Sequence, residues 1–222
     1  MRPIIRIDDE KFIISPQHIR DSFGYLFRIC YETLLDENNF SSKLMKSWVG
    51  HNRGVSGLAF NTKVAEKLKK TGWEVRDEIK LTEVLKQKLS KDFGDIDVLA
   101  WNKEKGIVSV IECKDLEFAK TNGEIARQIY EFKGIINEKG KQDRLLKHIS
   151  RLDELNRKIE NLSKFTKIPT DKISVRGCVV FSNTVPILFN ENRLHKDKVY
   201  FLTFEQLDNL CDWGLIIDSE TK

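Results

Sequence analysis

Asp97, Glu112 and Lys114 are the residues of this chain whose types and spacing could do chemistry. Asp97 lies in the run Gly-Asp-Ile-Asp-Val-Leu-Ala, and Glu112 and Lys114 in the run Val-Ile-Glu-Cys-Lys. Both runs are otherwise apolar and β-rich, and the polar stretch 102–106 between them, ending in Gly106, reads as a hairpin loop. Side chains repeat every two residues along a strand, so Glu112 and Lys114 share a face. An in-register hairpin brings Asp97 to the same face. Carboxylates at the end of an apolar hairpin are costly to bury unless a cation meets them. A hard divalent cation held by Asp97, Glu112 and the backbone carbonyl of Cys113 would neutralise a phosphodiester and activate a water. Lys114 would orient or deprotonate that water, or stabilise the pentavalent transition state. The bland alternative is a structural ion pair among the three on an ordinary sheet.

The elements that must position these residues follow from periodicity. In the Asp97 strand, Ile96, Val98 and Ala100 fall on one face and Asp95, Asp97, Leu99 and Trp101 on the other, which gives Asp95 a supporting role. The chain opens with two short strands around a charged turn in 1–15. A helix over 16–35, a polar break, a short helix over 43–49 and a glycine-containing loop over 50–57 follow. A helix over 58–71 carries Phe60, Val64 and Leu68 as a stripe, and a strand over 73–81 comes next. After the hairpin, Ile125, Ile129, Phe132 and Ile136 predict a helix over 124–136. The longest regular segment, 144–167, places Leu145, His148, Leu152, Leu155, Ile159 and Leu162 at seam positions of a heptad. It reads as a helix laid against its own domain, with a coiled-coil arm or dimer contact as the alternatives. A buried strand over 173–181, a short strand over 199–203 and a short helix over 204–210 complete a mixed α/β order.

Composition sets the class. Of 222 residues, 40% are hydrophobic and 32% charged, as in a folded globular domain with a busy surface. The net charge of +4 permits a nucleic-acid partner without demanding one. Cys30, Cys113, Cys178 and Cys211 are far apart and show no Cys-x-x-Cys spacing, so a zinc site is not expected, and Cys113 and Cys178, inside apolar strand-like runs, read as buried free thiols. No apolar run reaches the roughly 20 residues of a membrane span, and the expected compartment is the cytoplasm. A chain that opens directly into a strand reads as the trimmed end of a longer one.

At Asp97 and Glu112-Cys113-Lys114 the chain resembles the PD-(D/E)xK nuclease superfamily, with an acidic residue on the second core strand and Glu-x-Lys on the third. The resemblance covers about residues 51–210, apart from the helix at 144–167. It implies a restriction-endonuclease-like αβββαβ core, an α-rich N-terminal extension over 1–50, and a nuclease domain over 51–222 with a helical insertion over 141–168 before the fourth core strand. It further implies a Mg²⁺-dependent (or Mn²⁺-dependent) phosphodiesterase that acts on DNA more often than RNA and leaves a 5′-phosphate. The expected setting is endonucleolytic restriction, defence or repair, as the C-terminal effector of a larger protein or as a homodimer. Gln128 matches in kind a glutamine that some members use beside the site, with Phe132 where those members have Tyr. The family's further Glu, just after an aromatic in the first core helix, is here Asn61 after Phe60. Glu66 does not replace it, because it lies roughly 140° around the helix. Lys120, Arg127, Lys133, Lys141 and Arg144 give the region after the site a basic bias, and Lys147, His148 and Arg151 a basic face on the long helix. The rival functions are a non-cleaving nucleic-acid-binding module on the same fold and an interaction protein that dimerises through the 144–167 helix.

Overall fold

The computed structural model describes residues 4–31, 40–116, 119, 121–138, 140–190, 195 and 197–212. The C-terminal part of the helix expected over 16–35, and Lys120, lie outside them. The chain divides into two compact units, Met1–Ser56 and Gly57–Lys222.

In the first unit, β1 (Ile4–Arg6) pairs antiparallel with β2 (Phe12–Ile14), Ile4 opposite Ile14. The Asp8 carboxylate closes their turn by accepting the amide N–H groups of Glu10 and Lys11 at 2.9 and 2.8 Å. Helix α1 (Pro16–Tyr31) starts at a proline, whose fixed φ and missing N–H suit a first helical position. Helix α2 (Lys43–Lys70) then runs unbroken through the segment expected to be a loop. Gly50, Gly54 and Gly57 each weaken a helix by about 1 kcal/mol without forbidding helical dihedrals, and no proline interrupts the run.

The second unit is built on a five-stranded mixed sheet in the order β3 (Glu74–Lys80), β4 (Asp95–Asn102), β5 (Ile107–Lys114), β6 (Ser174–Phe181), β7 (Val199–Thr203). Helix α3 (Leu81–Leu85) follows β3, while α4 (Asn122–Glu131), α5 (Arg144–Arg157) and α6 (Ile159–Thr166) lie between β5 and β6. Pairing is antiparallel from β3 to β5 and parallel from β5 to β7. A parallel partner requires a long crossover, and the three helices after β5 are that crossover. Every residue of β5 is buried except Lys114, because helices cover both faces of the sheet. On one face Val98, Ala100, Ile107, Ile111 and Cys113 pack with Phe60, Val64 and Leu68 of α2. On the other, Leu99, Trp101, Val108 and Val110 pack with Leu145, Ile149, Leu152 and Leu155 of α5 and Leu162 of α6.

Ile96 departs from the expected alternation: it packs with Leu99 and Trp101, not with Val98 and Ala100. The β3–β4 pairing skips the facing Glu78, whose φ of +50° is left-handed and bends β3 there. Asn61 donates to the Glu78 carboxylate and so ties α2 to that bend.

Helix α5 is the element that matters most for the site. Asp143 caps its start, accepting the N–H of Leu146 at 2.8 Å and those of Gly134 and Ile135 at 2.7 and 3.0 Å. Its four buried aliphatic side chains contribute roughly 1.5–3 kcal/mol each by burial. Gly177 on β6 lets it lie close to the sheet, since a Cβ there would sit 2.3 Å from Leu152 Cδ1. The segment expected as one helix over 144–167 is two. The chain breaks at Lys158 (φ −110°, ψ 37°), whose N–H is shared between the Glu154 and Leu155 carbonyls. The helix expected over 124–136 ends at Glu131, and Ile136 instead bridges Gln142.

Candidate active site

The β4–β5 ladder ends at Val98 and Ile111, one residue short of Asp97 and Glu112. Beyond that point a side chain takes the place of the ladder: Asp97 Oδ2 accepts the Cys113 amide N–H at 2.8 Å. The N–H and C=O of one strand residue point to the same edge, so the Cys113 carbonyl also faces the β4 side, beside Asp97. On its other edge β5 stays paired, with Glu112, Cys113 and Lys114 opposite Val179, Val180 and Phe181 of β6. The three residues are thus held by backbone pairing on one edge and not on the other.

Both oxygens of Glu112 are engaged. Lys114 Nζ lies 2.6 Å from Oε1, and the Arg151 guanidinium donates to Oε2. Lys114 Nζ also stands 3.9 Å from Asp97 Oδ2. Arg151 Nε donates to the Phe93 carbonyl at 2.8 Å, which ties α5 to the loop leading into β4. The ring of His148, one helical turn before Arg151, is fully buried with Nδ1 4.0 Å from Glu112 Oε2, beyond hydrogen-bond distance.

The electrostatics separate the two carboxyls. Burial, reinforced by the charge of Glu112, pushes Asp97 up from 3.8 to about 6. Burial also opposes the charge on Glu112, but Lys114 and Arg151 outweigh it and hold that carboxyl down at about 2. Burial pushes His148 down to about 4, so its ring is neutral at neutral pH. The Cys113 thiol is pushed well up, chiefly by burial.

Sequence spacing anticipates the meeting of Asp97, Glu112, Cys113 and Lys114. The other candidates fare differently. Gln128 is half-buried on α4, while the side chains that engage Glu112 come from β5 and α5. Asp95 sits opposite Lys80 on β3 and is exposed. Asn61 is occupied with Glu78. Arg144 pairs with Glu131 at 3.1 Å, and Lys133 lies over the Tyr130 ring. The basic face expected on the long helix splits: Lys147 is exposed, and His148 and Arg151 turn inward to Glu112. Sequence reasoning did not place Arg151 or His148 in the site. The usable signal was two polar side chains, three apart, on the leucine-lined side of a helix.

The donor set suits a hard cation. Asp97, Glu112 and the Cys113 carbonyl would offer oxygen donors only, and Mg²⁺ binds through one or two carboxylates while keeping several waters. Among the described residues no group of three or more His, Cys, Asp and Glu side chains is placed to hold a metal ion, and Asp97 and Glu112 are two carboxylates. A surface depression of about 530 Å³ that includes Lys80, Ser90, Lys91 and Phe93 adjoins Gly94 and Asp95 at the entry to β4. Among the described residues no helix is long and apolar enough to cross a membrane.

No curated protein and no solved structure matches the chain. One family model does, over residues 1–200, and it is that of the anti-phage protein Upx-like family. With most of its length matched by that model, the chain belongs to the Upx-like family of anti-phage proteins.

Proposed function

We propose that this chain is a Mg²⁺- or Mn²⁺-dependent nuclease of the PD-(D/E)xK type, which hydrolyses nucleic-acid phosphodiesters, DNA before RNA, in anti-phage defence. The defence role rests on the family. The chemistry rests on one observation: Asp97 and the Glu112–Lys114 pair meet where the β4–β5 ladder stops and β5 remains fixed to β6. The order α2, β3, β4, β5, α4, β6 is consistent with the αβββαβ core that this reading requires.

Asp97, Glu112 and the Cys113 carbonyl would hold the cation. When bound, the cation supplies charge neutralisation at the phosphodiester and a more acidic water. Glu112, kept ionised by its two cationic partners, is the standing ligand. Asp97 gives up its proton most readily when a second positive charge is near. Lys114, held between the two carboxylates, orients the attacking water and stabilises negative charge building on the phosphoryl oxygens. Gln128 is the further candidate for a contact to water or a phosphate oxygen. Lys80 and Lys91, on the adjoining depression, would follow a phosphate backbone.

The test is cleavage of supercoiled plasmid, linear duplex, single-stranded DNA and RNA with Mg²⁺ or Mn²⁺, against EDTA. Cleavage is expected only with metal, and Lys114→Ala is expected to lower it roughly 10²–10⁴-fold. The absence of metal-dependent cleavage on every substrate sinks the nuclease reading. EDTA-insensitive binding without cleavage would support a non-cleaving module, a reading favoured by the full engagement of Glu112 with Lys114 and Arg151.

A further inference from the structure

Arg151 is held by two groups that have no other reason to be near each other. Its Nε donates to the Phe93 carbonyl at 2.8 Å, and its Nη1 to Glu112 Oε2. Its remaining nitrogen, Nη2, lies against Gly94, where an added Cβ would be 3.6 Å away. The side chain is only 11% exposed, and the helix under it is anchored in the core by Leu152 and Leu155. The guanidinium is therefore set in place before any ligand arrives.

Its effect is to balance charge. A buried carboxylate beside a mostly buried one on the neighbouring strand would be strongly unfavourable alone. Lys114 and Arg151 bring two positive charges to them, and Arg151 takes the Glu112 oxygen that Lys114 does not. A divalent ion bound by the same pair of carboxylates would compete with that guanidinium for both space and charge.

Building on the nuclease reading above, we propose that Arg151 is an internal stand-in for the metal ion. It neutralises Glu112 in the metal-free protein and releases that oxygen when a divalent cation is bound. The bond to Phe93 does not involve Glu112, so it keeps the released guanidinium beside the site. There its planar donor fork suits a phosphate oxygen of the substrate. Arg151 is a positioning residue in this scheme, because it acts on the metal through Glu112. The segment carrying α5 is then part of the active site and not an ornament on the nuclease core.

A purely structural arginine and a metal stand-in differ in one measurable way. Removing a structural tie destabilises the protein and weakens or leaves unchanged its metal affinity. Removing a competitor destabilises the metal-free protein and tightens metal binding. The experiment is calorimetric titration of Mn²⁺ into the full chain, wild type against Arg151→Met, which keeps the apolar stem, and Arg151→Lys, which keeps the charge. Arg151→Met is expected to bind Mn²⁺ roughly tenfold or more tightly, as expected for removal of one nearby positive charge. Arg151→Lys is expected to stay within about threefold of wild type, since the competing charge remains. Where Arg151→Met does not fold, the wild-type protein still decides. Its Arg151 Nε–H resonance, assigned by its absence in Arg151→Lys, is expected to shift as Mg²⁺ is added. Mn²⁺ binding by the wild type with equal or weaker binding by Arg151→Met overturns the stand-in and leaves the nuclease reading intact. A resonance unmoved in metal-saturated wild type does the same. No Mn²⁺ binding by wild type or variants, with no cleavage, overturns both.

Discussion

Asp97→Asn should stabilise the metal-free protein at neutral pH. Asp97 is mostly buried, with 22% of its side chain exposed, and its nearest cation is Lys114 Nζ at 3.9 Å, which is closer to Glu112. Burial and the charge of Glu112 raise its carboxyl from 3.8 to about 6. A folded-state value above the unfolded one means that the folded protein binds the proton more tightly. Stability is therefore lost as pH rises from the unfolded value through the folded one. At about pH 7.5 the full cost is about 3 kcal/mol, and near pH 4 it has shrunk to about 0.5 kcal/mol. Asparagine carries no charge and keeps an oxygen for the Cys113 N–H, so it escapes most of that cost. The expected gain is about 2–3 kcal/mol at neutral pH, a rise in Tm of roughly 4–12 °C for a domain of this size. His148 works in the opposite direction. Its value, lowered to about 4, makes stability fall as pH drops from 6.5 toward 4, but it does so in both proteins and cancels in their difference. The assay is thermal and urea unfolding of both proteins in EDTA between about pH 4 and pH 8. A loss of stability in Asp97→Asn at neutral pH, or a gain that does not change with pH, refutes the argument.

Two further outcomes follow from the packing. Gly177→Ala puts a Cβ into Leu152 and within 3.1 Å of the Lys198 carbonyl and of Val199 Cγ2, so it should cost about 1–3 kcal/mol in urea unfolding and displace α5 from the sheet. Cys113 and Cys178 are free and buried, and burial pushes both thiols up. Iodoacetamide at mildly alkaline pH should leave both unmodified in the native protein and label both after denaturation, as mapped by peptide mass spectrometry.

Most of the sheet was legible because its strands carry their burial in their composition. Ile107–Lys114 and Ser174–Phe181 are runs of β-branched and apolar residues, which a strand covered on both faces requires. Helix stops were less legible. Three glycines in 50–57 read as a loop because propensity is local, whereas α2 runs through them. The break at Lys158 has no glycine or proline to announce it. It is a backbone adjustment that keeps Ile159 and Leu162 packed with the core seam of α5. The bend at Glu78 rests on a non-glycine residue at positive φ, which no propensity scale foresees.

The site divides along the same line. Asp97, Glu112 and Lys114 could be brought together on paper because hairpin register is a local rule, and their spacing across a short turn fixes who faces whom. Arg151 could not, since its meeting with Glu112 spans 39 residues and depends on where α5 crosses the sheet. That crossing is set by Gly177, by the Asp143 cap and by the leucines of the seam, none of which has anything to do with charge. The sheet itself explains why the charges gather at this point. It changes from antiparallel to parallel at β5, and the β4 ladder stops at Ile111 while β6 stays paired through Lys114. For three residues β5 has a partner on one edge only. Polar groups aimed at the other edge need satisfaction from outside the ladder. Asp97 supplies it to the Cys113 amide, while the Glu112 side chain, which leaves the sheet by its face, is met there by Lys114 and Arg151. A site built where a ladder ends has its carboxylates on two adjoining strands, with β5 held fast by β6. Under the nuclease reading proposed above, that rigidity is what would hold the two carboxylates in place for hydrolysis of a phosphodiester.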